Sequence, residues 1–124
     1  MSRILVIEDD ETLRRAVAMM LSTRGHQTVE AADAQTGVAQ ARLLPPDLMI
    51  VDVQTPLGGA PMFLQMIDAQ ANLAKTPIIF TSGMPEKALE QWFPVTPIRQ
   101  IHAKPLDWDR LWKQIEQLLS ASKS

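Results

Sequence analysis

Acidic side chains follow two of the apolar segments of this sequence, and their types point to metal chemistry. Glu8, Asp9 and Asp10 follow the first apolar segment, and Asp52 directly follows a later one. If the two segments are neighbouring strands, the acids crowd one pocket. Two carboxylates about 4 Å apart repel by about 1 kcal/mol in water and by about 4 kcal/mol at an effective dielectric constant of 20. Such a cluster predicts a bound cation, and a few carboxylates with open positions suit Mg²⁺.

Two other polar groups follow the later apolar segments. Thr81 ends one of them, and Lys104 precedes Pro105 after the last. Taken singly, each group has a structural explanation, because acids cap helices, hydroxyls occur in turns and lysines occur in loops. Together, a metal, a hydroxyl donor and an ammonium group form a receptor of phosphoryl size, and an aspartate beside a metal can attack phosphorus.

The remaining pattern predicts the scaffold that positions these groups. Short apolar runs predict strands at Ile4–Ile7, Leu48–Val51 and Ile78–Phe80, a weaker one around Ile98 and Ile101, and a more polar edge strand at Gln27–Ala31. Helical periodicity predicts helices at Glu11–Arg24, from the N-cap Asp33 to just before Pro45, at Met62–Ala71, at Glu86–Phe93 and from Asp107 to about Ser120. Strand and helix alternate five times, which predicts a doubly wound α/β sandwich of three layers whose ligands bind beyond the carboxyl ends of the strands.

Composition limits the class of protein. The chain has 124 residues, which predicts one domain with a core at about residues 3–119 and a short polar tail at 120–124. It contains no cysteine and carries a net charge of −2 without a basic stripe. These features favour a reducing, cytoplasmic setting and argue against direct binding of nucleic acid. No apolar stretch approaches the length of a membrane span, and the N-terminal apolar run is too short for a signal peptide.

The order of these groups resembles the receiver domains of two-component response regulators, the superfamily of the chemotaxis receiver. The resemblance covers Arg3 to about Leu119 and includes the acidic pair, the aspartate followed four positions later by Pro56, the hydroxyl and the lysine-proline pair. The intervals also agree, with 43 residues from Asp9 to Asp52, 29 to Thr81 and 23 more to Lys104. The family implies a flavodoxin-like parallel sheet in the order 2-1-3-4-5.

The resemblance also implies a role for each residue of the motif. Asp52 would accept a phosphoryl group from a sensor histidine kinase or a histidine phosphotransfer protein. Asp9, Asp52 and the backbone carbonyl of Gln54 would ligate Mg²⁺ directly, and Glu8 would act through water. Lys104 and Thr81 would bind the phosphoryl oxygens. The domain would catalyse only its own phosphorylation and dephosphorylation, and Asp10 would be a helix cap or an acid outside the metal's direct ligands.

Some positions depart from the family pattern. Thr55 stands where methionine is usual, and the loop glycine, Gly58 or Gly59, comes one residue early. Ile101 stands where many relatives have tyrosine or phenylalanine, and an isoleucine cannot perform an aromatic rotamer switch. A receiver-fold interaction module that signals without phosphorylation therefore stays open as an alternative. A haloacid-dehalogenase-type phosphatase would need a second aspartate at Gln54, and a flavodoxin would need a phosphate-binding loop in place of the acidic triplet.

Surface residues suggest contacts with partners. The face formed in relatives by the fourth helix, fifth strand and fifth helix carries four aromatics, Trp92, Phe93, Trp108 and Trp112. Two interpretations are open: Trp108 and Trp112 widen the buried stripe of the last helix, or the four aromatics form a homodimer or effector surface. Arg14 and Arg15 are predicted to face solvent on the first helix, where relatives dock their phosphodonors. His26 and His102 receive no role.

Overall fold

Five strands alternate with five helices in the described part of the chain, as the sequence predicts. The computed structural model describes residues 2–53 and 59–122. The strands are β1 (Arg3–Ile7), β2 (Gln27–Ala31), β3 (Leu48–Asp52), β4 (Ile78–Ser82) and β5 (Arg99–Ala103). The helices are α1 (Glu11–Thr23), α2 (Ala34–Leu43), α3 (Gly59–Asp68), α4 (Glu86–Trp92) and α5 (Trp108–Ser122).

All five strands are parallel and form one sheet in the order β2-β1-β3-β4-β5. This is the flavodoxin-like order that the resemblance implies, so that prediction is confirmed. β2, predicted from its polarity as an edge strand, is indeed at one edge, and β5 is at the other. β3 and β4 are buried throughout, as expected for strands covered on both faces by helices.

Alternate side chains of the strands enter two separate apolar clusters. On the face covered by α2, α3 and α4, the strands contribute Leu5, Ile7, Met49, Val51, Phe80 and Ile101. On the face covered by α1 and α5, they contribute Ile4, Val6, Ile50 and Ile79. We call these the α2-α3-α4 face and the α1-α5 face. The predicted stripes of α1 and α5 are buried on the second, as Val17, Leu21, Leu111, Ile115 and Leu118.

The helix ends follow the capping residues found in the sequence. Asp33 caps α2 by accepting a hydrogen bond from the backbone N–H of Thr36 at 2.7 Å. α1 ends at Thr23, and Gly25 follows in a left-handed conformation with a φ of 85°, its N–H donating to the carbonyl of Ser22.

Two helices differ from their predicted bounds by two residues or more. α3 covers Gly59–Asp68 rather than Met62–Ala71. A proline in the first turn leaves no N–H unpaired, so Pro61 does not delay the start of the helix. Beyond α3, backbone hydrogen bonds to residues three or four positions back form turns up to Thr76. α5 extends to Ser122, so residues 120–122 of the predicted tail are helical. In the part of the chain described, no helix has the length and apolarity needed to cross a bilayer.

Candidate phosphoryl and metal site

Three acids meet where β1 and β3 end, at the carboxyl edge of the sheet. Glu8, Asp9 and Asp52 each offer a carboxylate oxygen, and these oxygens lie within 4.8 Å of one another. Glu8 and Asp52 are each only 4% exposed, whereas Asp9 faces solvent. β1 and β3 are adjacent in the sheet, which was the condition for this crowding.

Lys104 brings a positive charge to the two buried acids. Its Nζ lies 2.6 Å from Oε1 of Glu8 and 3.4 Å from Oδ2 of Asp52. The backbone N–H of Lys104 donates to the carbonyl of Ser82 at 2.7 Å, which fixes the residue to the end of β4. Burial lowers the pKa of Lys104, but the hydrogen bond with Glu8 and the charge of Asp52 raise it more, so the amine stays charged.

One lysine does not fully neutralise the negative charge of the two buried acids. Burial, with a smaller effect from the Asp52 carboxyl hydrogen-bonded beside it, raises the pKa of Glu8 to about 7. The Lys104 ammonium opposes this shift without cancelling it. Near neutral pH the pocket therefore tends to hold a proton, which a bound cation would displace.

Thr81 lies beside Asp52 in the sheet register. The two residues are partners across β3 and β4, and the N–H of Val53 donates to the carbonyl of Thr81 at 2.9 Å. The alternation of side chains places Asp52 and Thr81 on the same face of the sheet, the α1-α5 face. Ser82 points to the opposite face, and its Oγ accepts from the N–H of Met84 at 3.1 Å. Thr81 is therefore the hydroxyl group that the strand end directs toward Asp52.

Asp10 is a helix cap, which settles the alternative left open by the sequence. Its carboxylate accepts hydrogen bonds from the N–H groups of Thr12 and Leu13 at 3.0 and 3.2 Å. Its own N–H donates to Oε2 of Glu8 at 3.2 Å, so the cap also orients a site carboxylate.

Part of the predicted site lies outside the described residues. Gln54, whose carbonyl was predicted as a metal ligand, falls there together with Thr55, Pro56 and Gly58. Gly59, the other candidate loop glycine, begins α3.

Arg14 supports the site, and the prediction that it faces solvent is wrong. Its side chain is only 14% exposed, and it donates to the carbonyl of Glu8 at 2.9 Å and to Glu30 at 3.1 Å. Its position next to Leu13, on the flank of the apolar stripe of α1, was the available signal. Arg15 is exposed as predicted and pairs with Glu11 one turn earlier.

One of the four aromatics is buried, so a partner surface cannot include Phe93 as predicted. Phe93 is 6% exposed and stacks on Phe80 with a centroid separation of 4.8 Å. Trp112 is half-buried against Arg24 and His26, near the end of α1. Trp92, the last residue of α4, is 66% exposed, whereas the C-cap Phe93 leaves the helical path and is buried. Trp108 is 39% exposed.

Comparisons with known proteins agree with this geometry. Residues 4–116 match the response regulator receiver domain family. The chain is 28% identical over 120 residues to protein PilH of Pseudomonas aeruginosa, covering 97% of this chain and 99% of PilH. It is 32% identical over 85 residues to the phosphate regulon regulatory protein PhoB of Klebsiella pneumoniae, which is 68% of this chain and 37% of PhoB.

Solved structures give the same result. The receiver domain of the hybrid histidine kinase CckA superposes with a TM-score of 0.76 at 30% identity, covering 94% of this chain and 98% of that domain. The chemotaxis response regulator CheY4 of Vibrio cholerae has the same fold, with a TM-score of 0.86 at 23% identity over 95% of this chain and 98% of CheY4. The family match, the full-length likeness to PilH and the shared fold establish the class: the chain belongs to the response regulator receiver domain family.

Proposed function

We propose that Asp52 accepts a phosphoryl group from a phosphohistidine of a sensor histidine kinase or phosphotransfer protein. The observation that carries this proposal is the buried Asp52 carboxylate, held 3.4 Å from the Lys104 amine and clustered with Glu8 and Asp9. The likeness to the CckA receiver, part of a hybrid histidine kinase, supports a histidine donor.

The donor set suits Mg²⁺. Hard carboxylate oxygens within 4.8 Å of one another, one of them exposed, can hold an octahedral ion that keeps several waters. Asp9 and Asp52 would ligate it directly with the carbonyl of Gln54, and Glu8 would act through water. When bound, the ion neutralises charge on the transferring phosphoryl group.

The residues of this chain then position and stabilise the transfer. A carboxylate oxygen of Asp52 forms the new bond to phosphorus as the phosphorus–nitrogen bond of the donor breaks, and its electron pair stays on the donor imidazole. Lys104 binds one equatorial oxygen of the phosphoryl group, and the hydroxyl of Thr81 donates to another. Such positioning and charge stabilisation supply nearly all the catalysis that phosphoryl transfer needs.

The acyl phosphate on Asp52 is itself the signal. Water later attacks its phosphorus, which breaks the bond to the Asp52 oxygen, releases inorganic phosphate and returns the carboxylate. The chain would therefore catalyse only its own phosphorylation and dephosphorylation. We place these reactions in the cytoplasm, in line with a sequence that has no cysteine. Partner binding would use the exposed aromatics Trp92 and Trp108 rather than all four.

A second candidate function rests on Ile101. This residue is 5% exposed and packs in the apolar cluster of the α2-α3-α4 face, where it offers no aromatic ring to rotate. An interaction module that keeps the fold and binds partners without phosphorylation would tolerate this substitution.

Intact-mass measurement separates the two functions. After incubation with acetyl phosphate and Mg²⁺, we expect one added phosphoryl group on the parent chain and none on Asp52→Asn. Asp10→Asn is the matched control, because asparagine caps a helix as well as aspartate does, and it should still be phosphorylated. An unmodified parent chain with every donor tested would favour the phosphorylation-independent module.

A further inference from the structure

One buried polar pair joins the sheet to helix α5 outside the acidic pocket. His102 on β5 is only 1% exposed, and its Nε2 lies 2.5 Å from Oε1 of Gln114 on α5. Because Gln114 presents its oxygen, Nε2 carries the proton of this bond. The other ring nitrogen, Nδ1, is buried and has no hydrogen-bond partner among the described residues.

The register places this ring next to Thr81. His102 and Thr81 are partners across β5 and β4, on strands about 4.8 Å apart, and both alternate onto the α1-α5 face. Ile101 alternates onto the other face and packs in the opposite cluster. His102 therefore lies beside Thr81 in the sheet register and contacts helix α5 through Gln114.

Charged groups on two helices surround the pair. Arg110 of α5 and Glu86 of α4 form an ion pair at 2.5 Å, and both act on the His102 ring together with Asp107. Burial lowers the pKa of His102, and the hydrogen bond to Gln114 opposes this shift. A neutral ring with one proton on Nε2 leaves Nδ1 as a buried acceptor without a partner.

We propose that His102 and Gln114 transmit the phosphorylation state of Asp52 from Thr81 to helix α5, in place of an aromatic switch at Ile101. The proposal rests on the proposed phosphoryl transfer. A buried polar atom without a hydrogen-bond partner raises the free energy of the folded chain. A displacement of Thr81 that lets Nδ1 gain a partner therefore favours a second position of the ring. The ring then has two arrangements, and the one adopted decides whether Gln114 and α5 are held as in this structure.

Nitrogen-15 NMR of the imidazole rings tests this directly, with the phosphoryl analogue beryllofluoride and Mg²⁺ as the probe. We expect the probe to shift both ring nitrogens of His102. The other histidine of the sequence, His26, packs against Trp112 of α5, so its ring also reports on that helix. The His102→Gln variant therefore assigns the His102 signals, and the same spectrum with Mg²⁺ alone serves as the control.

Two pairs of variants locate the path. Thr81→Val removes the hydroxyl at nearly constant volume and should abolish the His102 shift, whereas Thr81→Ser should keep it. Gln114→Leu should abolish the probe-dependent shifts of the α5 backbone amides. Gln117→Leu, an exposed control on the same helix, should retain them.

The outcomes separate this inference from the proposed function. If the probe shifts the Asp52 amide of the parent chain while the His102 nitrogens do not move, the relay is wrong and phosphoryl transfer stands. The relay is also wrong if Gln114→Leu leaves the α5 shifts intact. If the parent chain binds no probe and acetyl phosphate leaves its mass unchanged, the proposed function fails, and the relay fails with it.

Discussion

Lys104 determines how two buried carboxylates coexist at the end of the sheet. Its amine contacts Glu8 at 2.6 Å and Asp52 at 3.4 Å, and both acids are nearly inaccessible to solvent. Removing one partner of such a group is more damaging than replacing the whole group, because the remaining charges stay buried without compensation.

We therefore expect Lys104→Met to lower the free energy of unfolding by about 3 kcal/mol in the absence of Mg²⁺. Added Mg²⁺ should restore part of this loss, because it supplies positive charge to the same carboxylates. Urea unfolding with and without Mg²⁺ measures both effects. Lys113→Met, an exposed change on α5, should stay within about 0.5 kcal/mol of the parent. Equal effects of the two variants would contradict this account.

The buried ring of His102 predicts a pH dependence of stability. Its pKa is lower in the folded chain than the ordinary value of 6.5, mainly because burial disfavours the charged ring. The unfolded chain therefore binds more protons in this range, so the contribution of His102 is complete above pH 6.5 and is lost as the pH falls through the folded pKa.

His102→Gln removes this titration while keeping a polar side chain. From pH 7.5 to 5.5, about one unit on either side of the ordinary histidine pKa of 6.5, we expect the parent to lose stability relative to the variant, as measured by urea unfolding at each pH. Glu8 has the opposite sign, because its raised pKa favours the folded chain at lower pH, but it contributes equally to both chains. A difference between the two that is constant with pH would refute the assignment to His102.

At the scale of the elements, α4 attaches to the sheet through one of two adjacent aromatics. Phe93 stacks on Phe80 inside the α2-α3-α4 cluster, whereas Trp92 is 66% exposed. Phe93→Ala should lower the free energy of unfolding by about 3 kcal/mol, since it removes a buried ring and leaves a cavity. Trp92→Ala should change it by no more than about 0.5 kcal/mol. Chemical denaturation of both variants checks the contrast, and a larger loss for Trp92→Ala would reverse the assignment.

Close packing of α2 on β1 depends on Gly37. A Cβ atom there would overlap Cδ1 and Cγ1 of Ile7, a side chain with no exposure to solvent. Alanine stabilises the interior of a helix by about 1 kcal/mol relative to glycine, but overpacking a core destabilises the fold by about 1–3 kcal/mol. We expect Gly37→Ala to lower the melting temperature despite the gain in helix propensity.

Ile7→Val supplies the second variant of this test, because it removes Cδ1, one of the two overlapping atoms. The double variant should be more stable than the sum of the single effects predicts. Strict additivity in thermal unfolding would show that Ile7 does not limit the approach of α2.

Element boundaries were predictable where local chemistry sets them. The cap Asp33 and the stop at Gly25 lie where the sequence places them, and Asp10 takes one of the two roles that the sequence left open. The limits of α3 were wrong, because its apolar residues and its proline permit several starting points, and packing in the fold selects one.

At the scale of the whole molecule, the parallel sheet concentrates negative charge at one edge. Glu8, Asp9 and Asp52 come from two strands that are distant in sequence and adjacent in space. A cation that binds this cluster binds only the folded chain and must stabilise it.

At Mg²⁺ concentrations about 100-fold above the dissociation constant, we expect a stabilisation of about 2.7 kcal/mol. For a domain of this size, that is a rise in melting temperature of about 10 °C. Asp9→Asn should lose most of the rise, and Asp10→Asn, which preserves the cap, should keep it. Scanning calorimetry over a Mg²⁺ series provides the measurement, and a flat response of the parent chain would disprove the metal site.

The sequence by itself determined the alternation of elements, the edge position of β2 and which residues end the strands. These features depend on local periodicity and on residue types, both of which are visible in the amino-acid sequence. The order of the strands came from the resemblance to receiver domains, because many orders are compatible with the same alternation.

Only the tertiary structure decided the partners of individual side chains. It buried Phe93 and exposed Trp92, turned Arg14 toward Glu8, and paired His102 with Gln114. Each outcome depends on what a neighbouring element presents to the side chain. Those neighbours are distant in sequence, so the local pattern of residues does not predict these contacts.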